Sequence, residues 1–124
     1  MSKSKIVNSS HLMFVVLAFN EKINQQDLKG LSTLMTDDHT FIDNSGDVTK
    51  GKDEMIKGWQ NFFDSYPDYQ NIFTSVIVND GVVVINGYST CSNEPKLNGP
   101  SIWTAKIRGD KVSQWRVYWI ESSG

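Results

Sequence analysis

The feature that most constrains the fold is an alternating run near the C-terminus, residues 111–120. Side chains of an extended strand alternate between its two faces. Trp115, Val117 and Trp119 therefore share one face, and the charged Arg116 lies on the other. This pattern favours a strand with one bulky aromatic face that other parts of the chain must cover.

A second strand of the same kind directly precedes it. In residues 102–107, Trp103 and Ile107 share one face and Lys106 lies on the other. The linking segment, residues 108–110, has the Arg-Gly-Asp composition of a tight turn. Upstream, residues 69–79 and 82–91 are rich in β-branched residues and are separated by an Asp-Gly turn. The C-terminal half thus predicts a four-stranded antiparallel meander.

Three helices and a short pair of strands are predicted before the meander. Apolar residues recur at intervals of three and four, which is typical of amphipathic helices, in two sets: Leu12, Val16, Phe19 and Ile23, then Met55, Trp59, Phe62 and Tyr66. A short helix between them is predicted to begin near Asp27 and to end at residues 36–38. A strand follows with His39, Phe41 and Asp43 on one face.

This order of elements predicts an α+β fold, in which a curved antiparallel sheet packs on three N-terminal helices. A sheet that curls around the third helix would enclose a cone with one open end. At 124 residues, the chain is expected to form a single domain over residues 1–124.

Composition excludes several classes of partner. Apolar residues make up 39% and charged residues 21% of the chain, as in soluble globular domains, and the formal net charge is −2. The scattered lysines argue against nucleic acid and anionic membranes as partners. Cys91 is the single cysteine, so the sequence contains no internal disulfide. The apolar run at residues 12–19 is too short to span a bilayer and lacks a cleavage site, so we predict a cytoplasmic protein.

The order of elements and four local motifs resemble the SnoaL-like branch of the nuclear transport factor 2-like superfamily. The motifs are Asn24-x-x-Asp27-x-x-x-Leu31, residues 37–43, residues 51–56 with Tyr66-Pro67-Asp68, and residues 109–119. The resemblance covers nearly all of the chain after residue 10 and implies the cone fold of that superfamily. It also implies a homodimer formed through the outer face of the sheet. It does not imply one reaction, because the superfamily includes isomerases, cyclases, hydrolases, dehydratases and binding modules.

Asp43 is the first candidate catalytic residue. In the ketosteroid isomerases of the superfamily, an aspartate at the end of this strand is the general base, and the resemblance places Asp43 there. A carboxylate at the mouth of an aromatic cavity suits proton transfer next to a carbonyl group. The sequence Asp43-Asn-Ser-Gly also suits a turn in which the carboxylate accepts backbone N–H bonds. Both interpretations stay open.

Other positions depart from the isomerase pattern or have a structural alternative. The resemblance places the two oxyanion-hole positions on Phe19 and Trp103, which supply no equivalent donors.

His39 is predicted to lie about 6–7 Å from Asp43 along the strand and to assist it. The alternative is a half-buried histidine with a structural hydrogen bond. We predict no cofactor and no metal, because the two histidines lack ligand-like spacing.

The predicted substrate site is an aromatic pocket of a few hundred Å³. Its predicted lining residues are Phe19, Phe41, Trp59, Phe63, Trp103, Trp115 and Trp119. We predict an enzyme that acts on a small apolar molecule, carbonyl-bearing or polyketide-like, with Asp43 as acid and base and His39 assisting. The alternative is a non-catalytic module of the same fold, which binds a small hydrophobic molecule or serves dimerisation.

Overall fold

The computed structural model describes residues 9–119, which form three α-helices, one turn of 3₁₀-helix (Pro95–Leu97) and one six-stranded sheet. The helices are α1 (Ser9–Gln25), α2 (Leu28–Thr33) and α3 (Lys52–Ser65). The strands are β1 (Met35–Ile42), β2 (Val48–Lys50), β3 (Gln70–Asn79), β4 (Val82–Thr90), β5 (Gly99–Arg108) and β6 (Lys111–Trp119). Within the described range, the helices are too short or too polar to cross a membrane.

The sheet confirms the predicted α+β fold and the meander, but it is not wholly antiparallel. Its spatial order is β2-β1-β6-β5-β4-β3, and every neighbouring pair is antiparallel except β1 and β6, which run parallel. The reason is the path of α3, which joins β2 at one edge to β3 at the opposite edge. The meander then returns strand by strand and ends beside β1.

The second helix ends earlier than the sequence predicts. It stops at Thr33, so Met35 and residues 36–38, which were expected to finish the helix, belong to β1. The Val112 N–H donates to the Leu34 carbonyl at 2.7 Å, and Met35 is the first residue of β1 that pairs with β6. Pairing with a strand that is remote in sequence therefore extends β1 beyond the segment that its own alternation indicates.

The first helix packs on the core as predicted and also covers the edge of β3. Its apolar stripe, which contains Val16, Phe19 and Ile23, is fully buried. The Asn24 Oδ1 accepts the backbone N–H of Asn71 at 2.8 Å, and the Asn24 Nδ2 donates to the Asn71 carbonyl at 2.9 Å. A side chain of α1 thus satisfies backbone groups that an edge strand would otherwise leave unpaired.

The core lies between the helices and the inner face of the sheet. Trp103 and Trp115 are each 1% exposed, and Phe73 packs against both. Trp119, which alternation places on the same face of β6, remains 38% exposed. The aromatic face of the last strand is therefore buried at Trp115 and open at its C-terminal end.

Candidate functional site

A cavity of about 300 Å³ lies between α3 and the inner face of the sheet. Its wall contains five of the seven aromatic residues that the sequence predicts, namely Phe41, Trp59, Trp103, Trp115 and Trp119. Further apolar groups come from Met55, Phe62, Leu97 and Val117. Polar groups in the wall come from Asp43, Thr49, Tyr69 and Asn71. The cavity is mainly aromatic, with a few polar groups at defined positions, as is usual for sites that bind small molecules.

Phe19 and Phe63 do not line this cavity, although both were predicted to contact substrate. Phe19 is fully buried, with its ring centroid 4.8 Å from that of Trp115. Phe63 stacks on Trp59 at 5.3 Å. Each therefore lies behind an indole of the wall and supports it. Helical spacing indicates which side of a helix is buried, but not how deep each residue lies.

Asp43 lies in the cavity wall and also forms the turn after β1. Its Oδ1 accepts the backbone N–H of Ser45 at 2.8 Å and that of Asp47 at 3.0 Å. The Asp43 N–H in turn donates to the Asp47 carbonyl at 3.0 Å. The Oδ2 makes no hydrogen bond to any described residue. The turn interpretation therefore applies to Oδ1, and the role of the carboxylate as acid and base stays a prediction.

His39 is fully buried and is not part of the cavity wall. Its Nδ1 lies 2.8 Å from the Val112 carbonyl oxygen, where the pairing of β1 with β6 shifts register. Because a carbonyl oxygen only accepts, Nδ1 carries the hydrogen, and Nε2 has no partner among the described residues. Burial lowers the pKa of His39. These surroundings favour the structural alternative, with complete rather than half burial, and the assisting role stays a prediction.

A polar group that the sequence analysis missed adjoins the cavity. It consists of Tyr69, Ser89 and Asn71, and the β3–β4 register places Asn71 directly opposite Ser89. The Tyr69 Oη lies 3.1 Å from the Ser89 Oγ, which donates to the Asn71 Oδ1 at 2.8 Å. The available signal was alternation, since Tyr69, Asn71 and Phe73 share one face of the strand predicted at residues 69–79, and only Asn71 among them carries an amide.

Comparison with known proteins supports the fold and the family. The model of the SnoaL-like domain matches residues 16–117. A comparison with curated proteins found no match. An LEH-like epoxide hydrolase from M. tuberculosis superposes with a TM-score of 0.80 at 11% identity, covering 90% of this chain and 84% of that one.

Two further solved structures have the same fold. A candidate SnoaL-like polyketide cyclase from Jannaschia sp. has a TM-score of 0.77 at 15% identity, covering 92% of this chain and 90% of that one. A Catenulispora acidiphila protein with a ketosteroid isomerase-like fold, solved with trimethylamine, has a TM-score of 0.69 at 20% identity, covering 85% and 84%. These identities show a shared fold and no shared reaction. Because the family model spans α1 to β6, the chain belongs to the SnoaL-like domain family.

Proposed function

We propose that the protein is an enzyme that acts on a small, mainly apolar, carbonyl-bearing molecule in this cavity, with Asp43 as the acid and base. The observation that carries the proposal is that the two oxygens of the Asp43 carboxylate have different surroundings. Backbone N–H groups of Ser45 and Asp47 hold Oδ1, while Oδ2 is unbonded within the described chain and belongs to a residue of the cavity wall. A carboxylate held in this way has a fixed orientation and keeps one oxygen for proton transfer.

The wall of the cavity supports the choice of substrate class. Its indole and phenyl rings offer flat apolar surfaces, and a volume of about 300 Å³ is at the small end of the range for ligand sites. Such a site suits a compact cyclic or aromatic molecule, including a polyketide-like one. The likeness to a candidate polyketide cyclase and to an isomerase-like fold is consistent with this class.

The proposed reaction is a proton transfer next to the ligand carbonyl. Asp43 Oδ2 takes a proton from the adjacent carbon, and the C–H electron pair moves into the C=C bond of an enolate whose charge lies on oxygen. The protonated carboxyl group then returns the proton to the same or another carbon of the ligand. The step balances without an oxidant or a second reactant.

The test is hydrogen–deuterium exchange of a bound ketone. We expect the wild-type protein to catalyse exchange of the protons next to the carbonyl of α-tetralone in D₂O, followed by NMR. Asp43→Asn should keep tryptophan quenching by the ketone and should lower the exchange rate by about 10²–10⁴-fold, the usual contribution of a general base.

Asp47→Asn is the matched control for this test. Asp47 belongs to the same turn but contributes only backbone groups to it, and its side chain is not part of the cavity wall. Exchange at the wild-type rate in Asp43→Asn would contradict the role of Asp43. Ketone binding without any exchange in the wild type would favour the non-catalytic alternative.

One observation favours that alternative, a module that binds small molecules without catalysis. The positions that hold oxyanion donors in ketosteroid isomerases carry Phe19 and Trp103, and Phe19 is fully buried outside the cavity wall. A cavity without a donor for the enolate oxygen would bind ketones and not stabilise the enolate. The enzyme therefore requires another hydrogen-bond donor to the enolate oxygen, whereas the non-catalytic binding module does not.

We also propose that the protein is cytoplasmic and forms a homodimer through the outer face of the sheet. Ile102 and Tyr118 are directly opposite each other on β5 and β6 and are 42% and 39% exposed. Tyr88, on the same face of β4, is 42% exposed. Three large exposed side chains on one sheet face are suited to packing against a second copy of the chain.

A further inference from the structure

Asn71 has one polar group left unused. It lies on β3, is 3% exposed and belongs to the cavity wall. Its backbone N–H donates to Asn24, and its backbone carbonyl accepts from Asn20 and Asn24. Its Oδ1 accepts from Ser89. The Nδ2 group, with two hydrogens, has no hydrogen-bond partner among residues 9–119.

The direction of the hydrogen bonds around Asn71 follows from which atoms can donate. A carboxamide oxygen only accepts, so Ser89 gives its single hydroxyl hydrogen to the Asn71 Oδ1. The Ser89 Oγ can then only accept from the Tyr69 hydroxyl. The hydrogen bonds therefore run from Tyr69 through Ser89 to Asn71, and they fix the orientation of the Asn71 amide. Each hydrogen bond polarises the next, which makes the terminal N–H groups better donors.

Tyr69, the first donor in this series of hydrogen bonds, is protonated. Burial raises the pKa of Tyr69, so its hydroxyl keeps its hydrogen at neutral pH. Asn71 on β3 and Ser89 on β4 are directly opposite in the ladder, and Tyr69 directly precedes β3. The donor is therefore held by the sheet rather than by a loop.

We propose that Asn71 Nδ2 donates a hydrogen bond to the ligand oxygen. This oxygen is a carbonyl oxygen before proton removal and an enolate oxygen afterwards. This inference rests on the proposed function and names the substrate group that the site recognises. Asn71 would supply the donor that Phe19 and Trp103 do not. Ser89 and Tyr69 would be positioning residues that hold the amide with its nitrogen available to the ligand.

The proposal predicts discrimination between ligands that differ only in the acceptor oxygen. A buried donor loses its interaction with water, and a ligand that lacks the acceptor leaves it unpaired. Removal of the donor should therefore weaken binding of a ketone and spare binding of the hydrocarbon of the same shape. α-Tetralone and tetralin form such a pair.

The experiment compares both ligands by tryptophan fluorescence titration in the wild type and Asn71→Leu. We expect the affinity for α-tetralone relative to tetralin to fall by about tenfold, the usual effect of one hydrogen bond of this kind. The infrared carbonyl band of bound α-tetralone should lie at a lower frequency in the wild type than in the variant. Asn71→Asp, which keeps the acceptor for Ser89 but has no amide hydrogens, should also lose this frequency shift.

Asn86→Leu is the matched control. Asn86 is also an asparagine of the β3–β4 pair and donates to a cross-strand serine, Ser75, but it is not part of the cavity wall. Asn86→Leu should leave unchanged both the affinity for α-tetralone relative to tetralin and the carbonyl frequency of bound α-tetralone. An unchanged ratio and frequency in Asn71→Leu, with both ligands still bound, would overturn the role of Asn71 alone. If neither ligand binds the wild type, the cavity proposal and the role of Asn71 both fail.

Discussion

At the scale of single residues, His39 and Asp43 illustrate how depth separates two positions on one strand face. The sequence predicts both on one face of the first strand, and in the structure His39 belongs to β1 and Asp43 directly follows it. His39 is fully buried against Val112, whereas Asp43, at the end of the strand, is in the cavity wall. Two residues that the sequence predicts on one face thus have different surroundings, one in the core and one at the cavity.

The buried histidine should make stability depend on pH. Burial lowers the pKa of His39 below its ordinary value of 6.5, so the unfolded chain takes up a proton at a higher pH than the native protein. The stability that neutral His39 contributes is fully present above pH 6.5, the ordinary pKa of histidine. It is lost as the pH falls below 6.5 towards the pKa of His39 in the native protein. We expect the free energy of unfolding, measured with urea, to decrease between about pH 7.5 and 5.5.

The variant His39→Asn tests the assignment of this effect. An asparagine amide can donate to the Val112 carbonyl in place of Nδ1 and does not titrate. The variant should therefore lose most of the decrease over this pH interval. An equal pH dependence of the two proteins would refute the assignment.

At the scale of elements, β3 and β4 approach each other closely at Gly87. A Cβ atom on Gly87 would overlap the Ile72 carbonyl oxygen, and the ladder shifts register between Phe73 and Ser75. The contact involves backbone atoms, which cannot move aside without disturbing the strand pair. Glycine at this position allows β3 to bend over the core.

We expect Gly87→Ala to lower the free energy of unfolding by roughly 1–3 kcal/mol, because the added methyl group overpacks the strand pair. The matched control is Gly58→Ala in α3, where a Cβ atom would have no neighbour within 4 Å. This substitution should raise the stability by about 0.5–1 kcal/mol, because alanine favours the helix. Urea denaturation measures both, and equal stabilities of the two variants would contradict the close approach at Gly87.

At the scale of the whole molecule, α3 and the curved sheet divide the protein into two faces with different properties. The inner face is aromatic and encloses the cavity, whereas the outer face presents Tyr88, Ile102 and Tyr118 to solvent. The proposed reaction uses the first face, and the proposed homodimer uses the second. The two proposals can therefore be tested separately.

The homodimer predicts that a charge on the outer sheet face will dissociate the protein. Ile102→Lys should convert a dimer into a monomer in sedimentation experiments, because it places an unpaired charge in an apolar interface. Phe14→Lys is the control, since Phe14 is 70% exposed on the outer side of α1, away from the sheet. A monomeric wild type at high micromolar concentration would refute the dimer, and dissociation by Phe14→Lys alone would place the interface on α1.

The sequence by itself determined the local elements. The stripe of α1, the start of α3 and the four strands of the meander were predicted from periodicity and turn residues, because these patterns depend on neighbouring residues only. Alternation also placed four aromatic residues and Asp43 in the cavity wall, and helical spacing placed Trp59 there. For each of these residues, the position along one strand or helix was sufficient information.

Only the tertiary structure decided the features that depend on residues remote in sequence. The parallel pairing of β1 with β6 extended β1 at the expense of α2, and it buried His39 against Val112. The packing of α1 and α3 placed Phe19 and Phe63 behind the indoles. The availability of Asn71 Nδ2 depends on partners from α1 and β4 that occupy its other polar groups. Periodicity assigns a residue to a face, whereas depth and hydrogen-bond partners are set by the elements that pack against that face.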